Sequence, residues 1–355
     1  MRWRLLLIAS VFCAFAKVGA VILFRSGDPA ENTSAPAGDL ADSGWQYQGF
    51  WGGFTGTPIA PHFFLSAQHI GHQGSFSWNG VAYRVVAKFD DPRSDLAILQ
   101  VAEPFPFFAP LYSRLDEVGQ RIAEFGRGRQ RGAARMIDGV LKGWDWGGLD
   151  RVLRWGENKV AGVIPYGAEN ELLYADFDEN GLANECHLAE GDSGGAAFIN
   201  DAGTWKLAGI NFAVDGPLYH GAAGEGEFTA ALFDARGYYY RDRNGIYVLI
   251  EGANPAPTAL YPTRISRRLP WIATTVAAPV LAREGTDLTL TYTKFVMPES
   301  DLVYRVEQST DLASWTTAPT TEDAQPPIGS VQIVKARVPV GGTTKLFLRL
   351  RISRP

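Results

Sequence analysis

The segment Glu190-Gly191-Asp192-Ser193-Gly194-Gly195 sets one serine among three glycines. Glycine lets the backbone turn tightly and leaves the neighbouring hydroxyl clear of side-chain walls. A serine hydroxyl becomes a nucleophile only when a base takes its proton, and a carboxylate must orient that base. Five histidines are available: His62, His69, His72, His187 and His220. His69 follows the apolar, strand-like run Phe63-Phe64-Leu65-Ser66-Ala67-Gln68, and Asp95 opens a second such run, Leu96-Ala97-Ile98-Leu99. His69 as base, Asp95 as orienting acid and Ser193 as nucleophile make the set that acyl transfer to serine requires.

Taken singly, each has a structural reading: a surface turn for the glycine-flanked serine, a hydrogen-bonding histidine, an aspartate that caps a turn. Other constellations are weaker. Asp176-x-Asp178-x-Asn180-Gly181 copies the first half of a calcium loop, but its twelfth position is His187 rather than a bidentate glutamate, so a solvated acidic turn is expected. His62, His69 and His72 lack the H-E-x-x-H spacing of a zinc site. No metal and no cofactor is called for. The pattern Gly191-x-Ser193-x-Gly195 also fits the nucleophile elbow of α/β-hydrolases. That fold needs an acid and then a histidine after the serine. Only His220 follows, and strand–helix alternation is missing.

Short strand-like runs surround these residues, at 80–86, 171–177, 194–199 and 205–214, broken by Gly, Pro, Asn and Asp. They indicate antiparallel β structure in a barrel or sandwich. Helical periodicity first appears at 264–278, where Ile265, Leu269, Trp271 and Ile272 share a face and Pro270 restricts where the helix begins. Ala278-Pro279 marks a boundary, and strand-like runs in 279–355 predict a small β-sandwich. With 355 residues, 46% hydrophobic and 20% charged, the chain suits about two globular domains. A net charge of −5 excludes a uniformly basic nucleic-acid surface. Arg2 and Arg4 precede the apolar run Leu5–Ala16, too short for a bilayer span. Ala14-Phe15-Ala16 and Val18-Gly19-Ala20 both offer small residues at the cleavage positions, so residues 1–20 read as a secretory signal and the mature chain as secreted or periplasmic. Cys13 falls in that segment, which leaves Cys186 alone and no internal disulfide.

These motifs resemble the trypsin/chymotrypsin family of serine proteases, whose motifs read T-A-A-H, D-I-A-L-L and G-D-S-G-G in the order His, Asp, Ser. Tyr261-Pro262-Thr263-Arg264-Ile265-Ser266 through Trp271-Ile272 is similar to the Y-T-R-V-S-x-x-x-x-W-I ending of that family, and Trp205–Ile210 to the strand after its nucleophile. The resemblance covers about 21–278. It implies an all-β, trypsin-like double β-barrel with a C-terminal helix, followed here by the sandwich. It also implies a serine endopeptidase of protein or peptide substrates, with Gly191 and Ser193 N–H groups as the oxyanion hole. Phe212-Ala213-Val214 would form the edge strand that pairs with substrate, and His187 would floor the specificity pocket. A histidine there gives no support for an Arg or Lys preference.

The chain departs from the family in several places. Ile70 stands where a cysteine usually follows the histidine, the family disulfides are absent, and Ala196 replaces the usual proline. There is no I-V-G-G start. Cleavage after Ala20 would expose Val21-Ile22-Leu23, and the resemblance implies that such a start meets Asp192. The alternative function is a binding or adhesion protein that kept the fold and lost turnover. Residues 279–355 do not resemble a PDZ module and suit surface retention, substrate capture (polysaccharide included) or spacing.

Overall fold

Apolar runs cut every few residues by glycine, proline or asparagine can bury one face only by pairing antiparallel and curling. The computed structural model describes residues 21–167, 170–343 and 345–354, and the expected signal at 1–20 lies outside them. The first unit is a seven-stranded antiparallel sheet, rolled up so that it nearly closes. Its strands, in spatial order, are Val81–Tyr83, Phe76–Trp78, Gly49–Trp51, Phe54–Ala60, Phe63–Ala67, Leu96–Val101 and Val85–Asp90. Trp51, Phe64, Phe76, Leu65 and Ile98 are wholly enclosed in it. The second unit is a closed six-stranded barrel of Arg154–Tyr166, Asn170–Asp176, Ala259–Arg264, Thr204–Val214, Ala196–Asp201 and Arg121–Gly126. Ile122, Val160, Leu173, Ile199 and Leu260 form its interior.

A hairpin of Arg129–Ile137 and Val140–Leu149 and a three-stranded sheet within 218–249 stand beside the second barrel. The only α-helix among the described residues, α1 (Ile265–Ala277), follows the last barrel strand and buries Ile265, Leu269, Ile272 and Val276, with Trp271 at its margin. Pro270 lies inside it, not at its start. Proline has no N–H to give the carbonyl four residues back, which is that of Ser266. Arg354, from the end of the chain, supplies the missing donor: its Nη1 reaches Ser266 O at 2.7 Å.

Ala278 ends α1 in the left-handed conformation, and strands begin again at Val280. Residues 280–353 form two antiparallel sheets, of four and three strands, around Leu290, Tyr292, Val306, Val334 and Val338. This sandwich is seated on the rest of the chain. Phe295 and Val331 join the core of the first barrel and α1. Arg354 also donates to Ser113 O at 2.8 Å, and Arg114 pairs with Glu299 and with Asp201. Among the described residues no helix is long and apolar enough to cross a membrane.

Candidate active site

Strand register brings base and acid together. Ala67 pairs with Leu96 at the last rung between Phe63–Ala67 and Leu96–Val101. His69 lies just past the end of one strand and Asp95 just before the start of the other, so both emerge at the same edge. Gln68 N–H donates to Asp95 O at 2.7 Å, and His69 N–H to Asp95 Oδ1 at 3.0 Å. The imidazole follows: Nδ1 is 2.6 Å from Asp95 Oδ2 and Nε2 is 2.8 Å from Ser193 Oγ. Asp95 is buried, Ser193 half-buried and His69 exposed, so the line runs from a shielded acid to an accessible hydroxyl.

The serine loop belongs to the second barrel and reaches this edge by pressing on the first. Gly194 sits at φ +74°, and a Cβ there would come within 2.3 Å of Ser66 Oγ and 2.4 Å of Thr55 O. Only glycine permits that backbone angle and that approach together. Within the loop, Asp192 N–H donates to Ala189 O, Gly194 N–H to Asn211 O and Gly195 N–H to Asp192 O. The N–H groups of Gly191 and Ser193 take no part in these bonds. The Asp192 carboxylate turns inward and accepts from Gly128 N–H (2.7 Å), Ala189 N–H (2.8 Å) and, more loosely, Val21 N–H (3.4 Å). Burial pushes its carboxyl up to about 7, and the three amide donors pull the other way. Val21 is held there because Ile22 and Leu23 pair with His187 and Cys186.

Phe212, Ala213 and Val214 lie beyond the last rung with Ala196–Asp201, and among the described residues their strand pairing there is with Ala259–Arg264 alone. The Phe212 ring is 6.0 Å from that of His69 and 5.2 Å from that of Tyr166. A cavity of about 570 Å³ opens beside the acid, between Gln68, the 91–95 loop, Tyr166 and Phe212. Tyr166 belongs to no motif, and only tertiary structure delivers it.

His187 is placed differently. Cys186 and Leu188 turn into the barrel interior, whereas the His187 ring is sealed edge-on against Phe177 at 5.6 Å, with Nδ1 2.5 Å from Leu188 O. Burial lowers its pKa to about 4, which leaves it neutral, and it does not border the cavity beside Asp95. Sequence reasoning passed over Glu124, a wholly buried carboxyl in the second barrel whose two oxygens have no hydrogen-bond partner among the described residues. Burial first, and then the nearby Asp192, hold it well above the usual carboxylate range. The acidic turn after Asp176 is closed from within: Glu185 accepts Asp178 N–H at 3.1 Å and Leu182 N–H at 2.9 Å. Cys186 is buried, and burial pushes its thiol well up, away from reactivity.

No family model and no curated protein matches the chain. Among solved structures it is similar to the active form of the Rv3671c protease from M. tuberculosis, at 16% identity and a TM-score of 0.35, covering 62% of this chain and 89% of that one. It is also similar to the NS6 protease of murine norovirus (11%, TM-score 0.31, 62% and 91%) and to the HtrA-type protease AlgW with a decapeptide (10%, 0.35, 83% and 82%). Two antiparallel barrels and a closing helix, with His69, Asp95 and Ser193 brought together at the barrels' shared edge, give this chain an all-β, trypsin-like double-barrel fold.

Proposed function

We propose that the protein is a serine endopeptidase that cleaves peptide bonds through an acyl-enzyme intermediate. One observation carries this reading: the continuous hydrogen-bonded line Asp95–His69–Ser193 at the mouth of an open cleft. A substrate strand would pair with the edge at Phe212–Val214, which sets its carbonyl against Ser193. Ser193 Oγ attacks the carbonyl carbon while His69 Nε2 takes its proton, and Asp95 holds Nδ1–H and offsets the imidazolium charge. Gly191 and Ser193 N–H groups receive the oxyanion, each such donor lowering the barrier by about 3 kcal/mol. His69 then returns the proton to the leaving amine, the C–N bond breaks, and water repeats the sequence to free the acid and regenerate Ser193.

We further propose that export removes residues 1–20 and leaves Val21 as the working N-terminus. Its nitrogen already lies against Asp192, and cleavage would convert an amide into an ammonium at that place.

The primary test is covalent. A fluorophosphonate should label the wild-type chain and casein should be degraded, with both lost in Ser193→Ala. Equal labelling and turnover by the two proteins would refute the reading.

A further inference from the structure

The loop that presents Asp95 is organised around another aspartate. Asp91 is wholly buried, and its N–H donates to Leu96 O at 2.9 Å, closing residues 91–96 into a loop. Its carboxylate gathers the loop from inside: Oδ1 accepts Arg93 N–H at 3.1 Å, and Oδ2 accepts the Ser94 hydroxyl at 2.5 Å. Ser94 Oγ in turn accepts Leu96 N–H at 3.3 Å. The two residues flanking Asp95 are therefore both tied to Asp91.

A carboxylate buried this fully needs a matched cation. It comes from α1: Arg268 Nε and Nη2 each donate to Asp91, at 2.6 Å, in the bidentate fork that fixes direction as well as distance. The nearby Arg264 and Ser266 are committed to Glu117. Among the described residues, Arg268 is the one side chain of α1 that hydrogen-bonds to the acid loop. We infer that Arg268 is a positioning residue, whose pair with Asp91 fixes the loop that holds Asp95 against His69 and so makes the acid's position a property of helix α1. This rests on the proposed triad. Displacements of about 1 Å in catalytic groups cost roughly 100-fold in rate, so a loosened loop is expected to act on turnover.

The experiment is a double-mutant cycle on the full chain, with kcat and KM measured on one peptide. Arg268→Gln should lower kcat about 100-fold with KM within about twofold. Arg268→Lys, which keeps the charge but loses the fork, should fall between it and wild type. In an Asp95→Asn background, Arg268→Gln should have almost no further effect on kcat, because the group it positions no longer works. Thr274→Ala, on the exposed side of α1, should leave kcat unchanged. An equal loss in both backgrounds, or a loss confined to KM, overturns the inference while the triad reading stands. Absence of fluorophosphonate labelling in the wild type overturns both. If Arg268→Gln fails to fold, Asp91→Asn and Arg268→Lys take its place in the same cycle.

Discussion

Asp192 has a charge that depends on what stands at Val21. In the uninterrupted chain its neighbour is an amide, and burial holds its carboxyl at about 7, above the ordinary aspartate value. A raised carboxyl in the folded state contributes stability below its unfolded pKa, and that contribution fades as pH rises through the folded value. An ammonium at Val21 reverses the sign: it favours the carboxylate and pairs with it until the amine itself loses its proton, at about pH 8 or above. A chain starting at a free Val21 should therefore gain activity and thermal midpoint at pH 7 over the same chain acetylated at Val21, and the gain should disappear by about pH 10. Activity and melting followed across pH in both proteins check this. Equal profiles would contradict a working N-terminus at Val21. Asp192 itself was legible beside Ser193. Its approach to Val21 was implied by the family resemblance and not by local spacing, because the two lie 171 positions apart.

Helix α1 carries the most unusual local feature, a proline well inside a 13-residue helix. Periodicity placed the helix correctly and treated Pro270 as a limit on its start, which is the ordinary consequence of the missing N–H. The helix continues because the orphaned Ser266 carbonyl finds Arg354, 88 residues away. Arg354→Ala should therefore cost about 1–3 kcal/mol of stability, since a buried acceptor is left without a donor. In a Pro270→Ala background the same change should cost less, because the restored N–H serves Ser266. Denaturant titration of the four proteins measures the coupling, and strictly additive losses would show that Arg354 acts elsewhere. The strand runs around His69 and Asp95 were legible by composition and alternation. Their register was not, and the register alone sets Ala67 opposite Leu96 and thereby the base beside the acid.

At the scale of the whole molecule, the C-terminal sandwich shares a core with the first barrel and α1. Ala278-Pro279 reads as a domain boundary, and strands do restart there, yet Phe295 and Val331 lie in the same core as Phe105, Leu269 and Ile272. Gly329 approaches the Phe108 ring closely enough that a Cβ would stand 3.1 Å from it. A chain ending at Ala278 would uncover this apolar face and leave the Ser266 carbonyl unserved. Such a chain should express poorly or melt well below the full protein, by contrast with a tethered accessory module, whose removal would leave the midpoint unchanged. Soluble yield and thermal denaturation of the two chains decide between these outcomes.

The order of residues along the chain specifies the kinds of elements and the side chains open to the proposed chemistry. Local spacing of apolar residues dictates strands and the helix, and a glycine-flanked serine, a strand-end histidine and a strand-start aspartate mark the candidate set for the proposed acyl transfer. Those signals are short-range, which is why one chain reveals them. Distant partners decide the rest: the seal around His187, the enclosed Glu124, Tyr166 and Phe212 beside the cavity, the Arg268–Asp91 clamp and the seating of the sandwich. Burial and hydrogen-bond completion are set by whichever residues the fold brings near, and no local pattern encodes them.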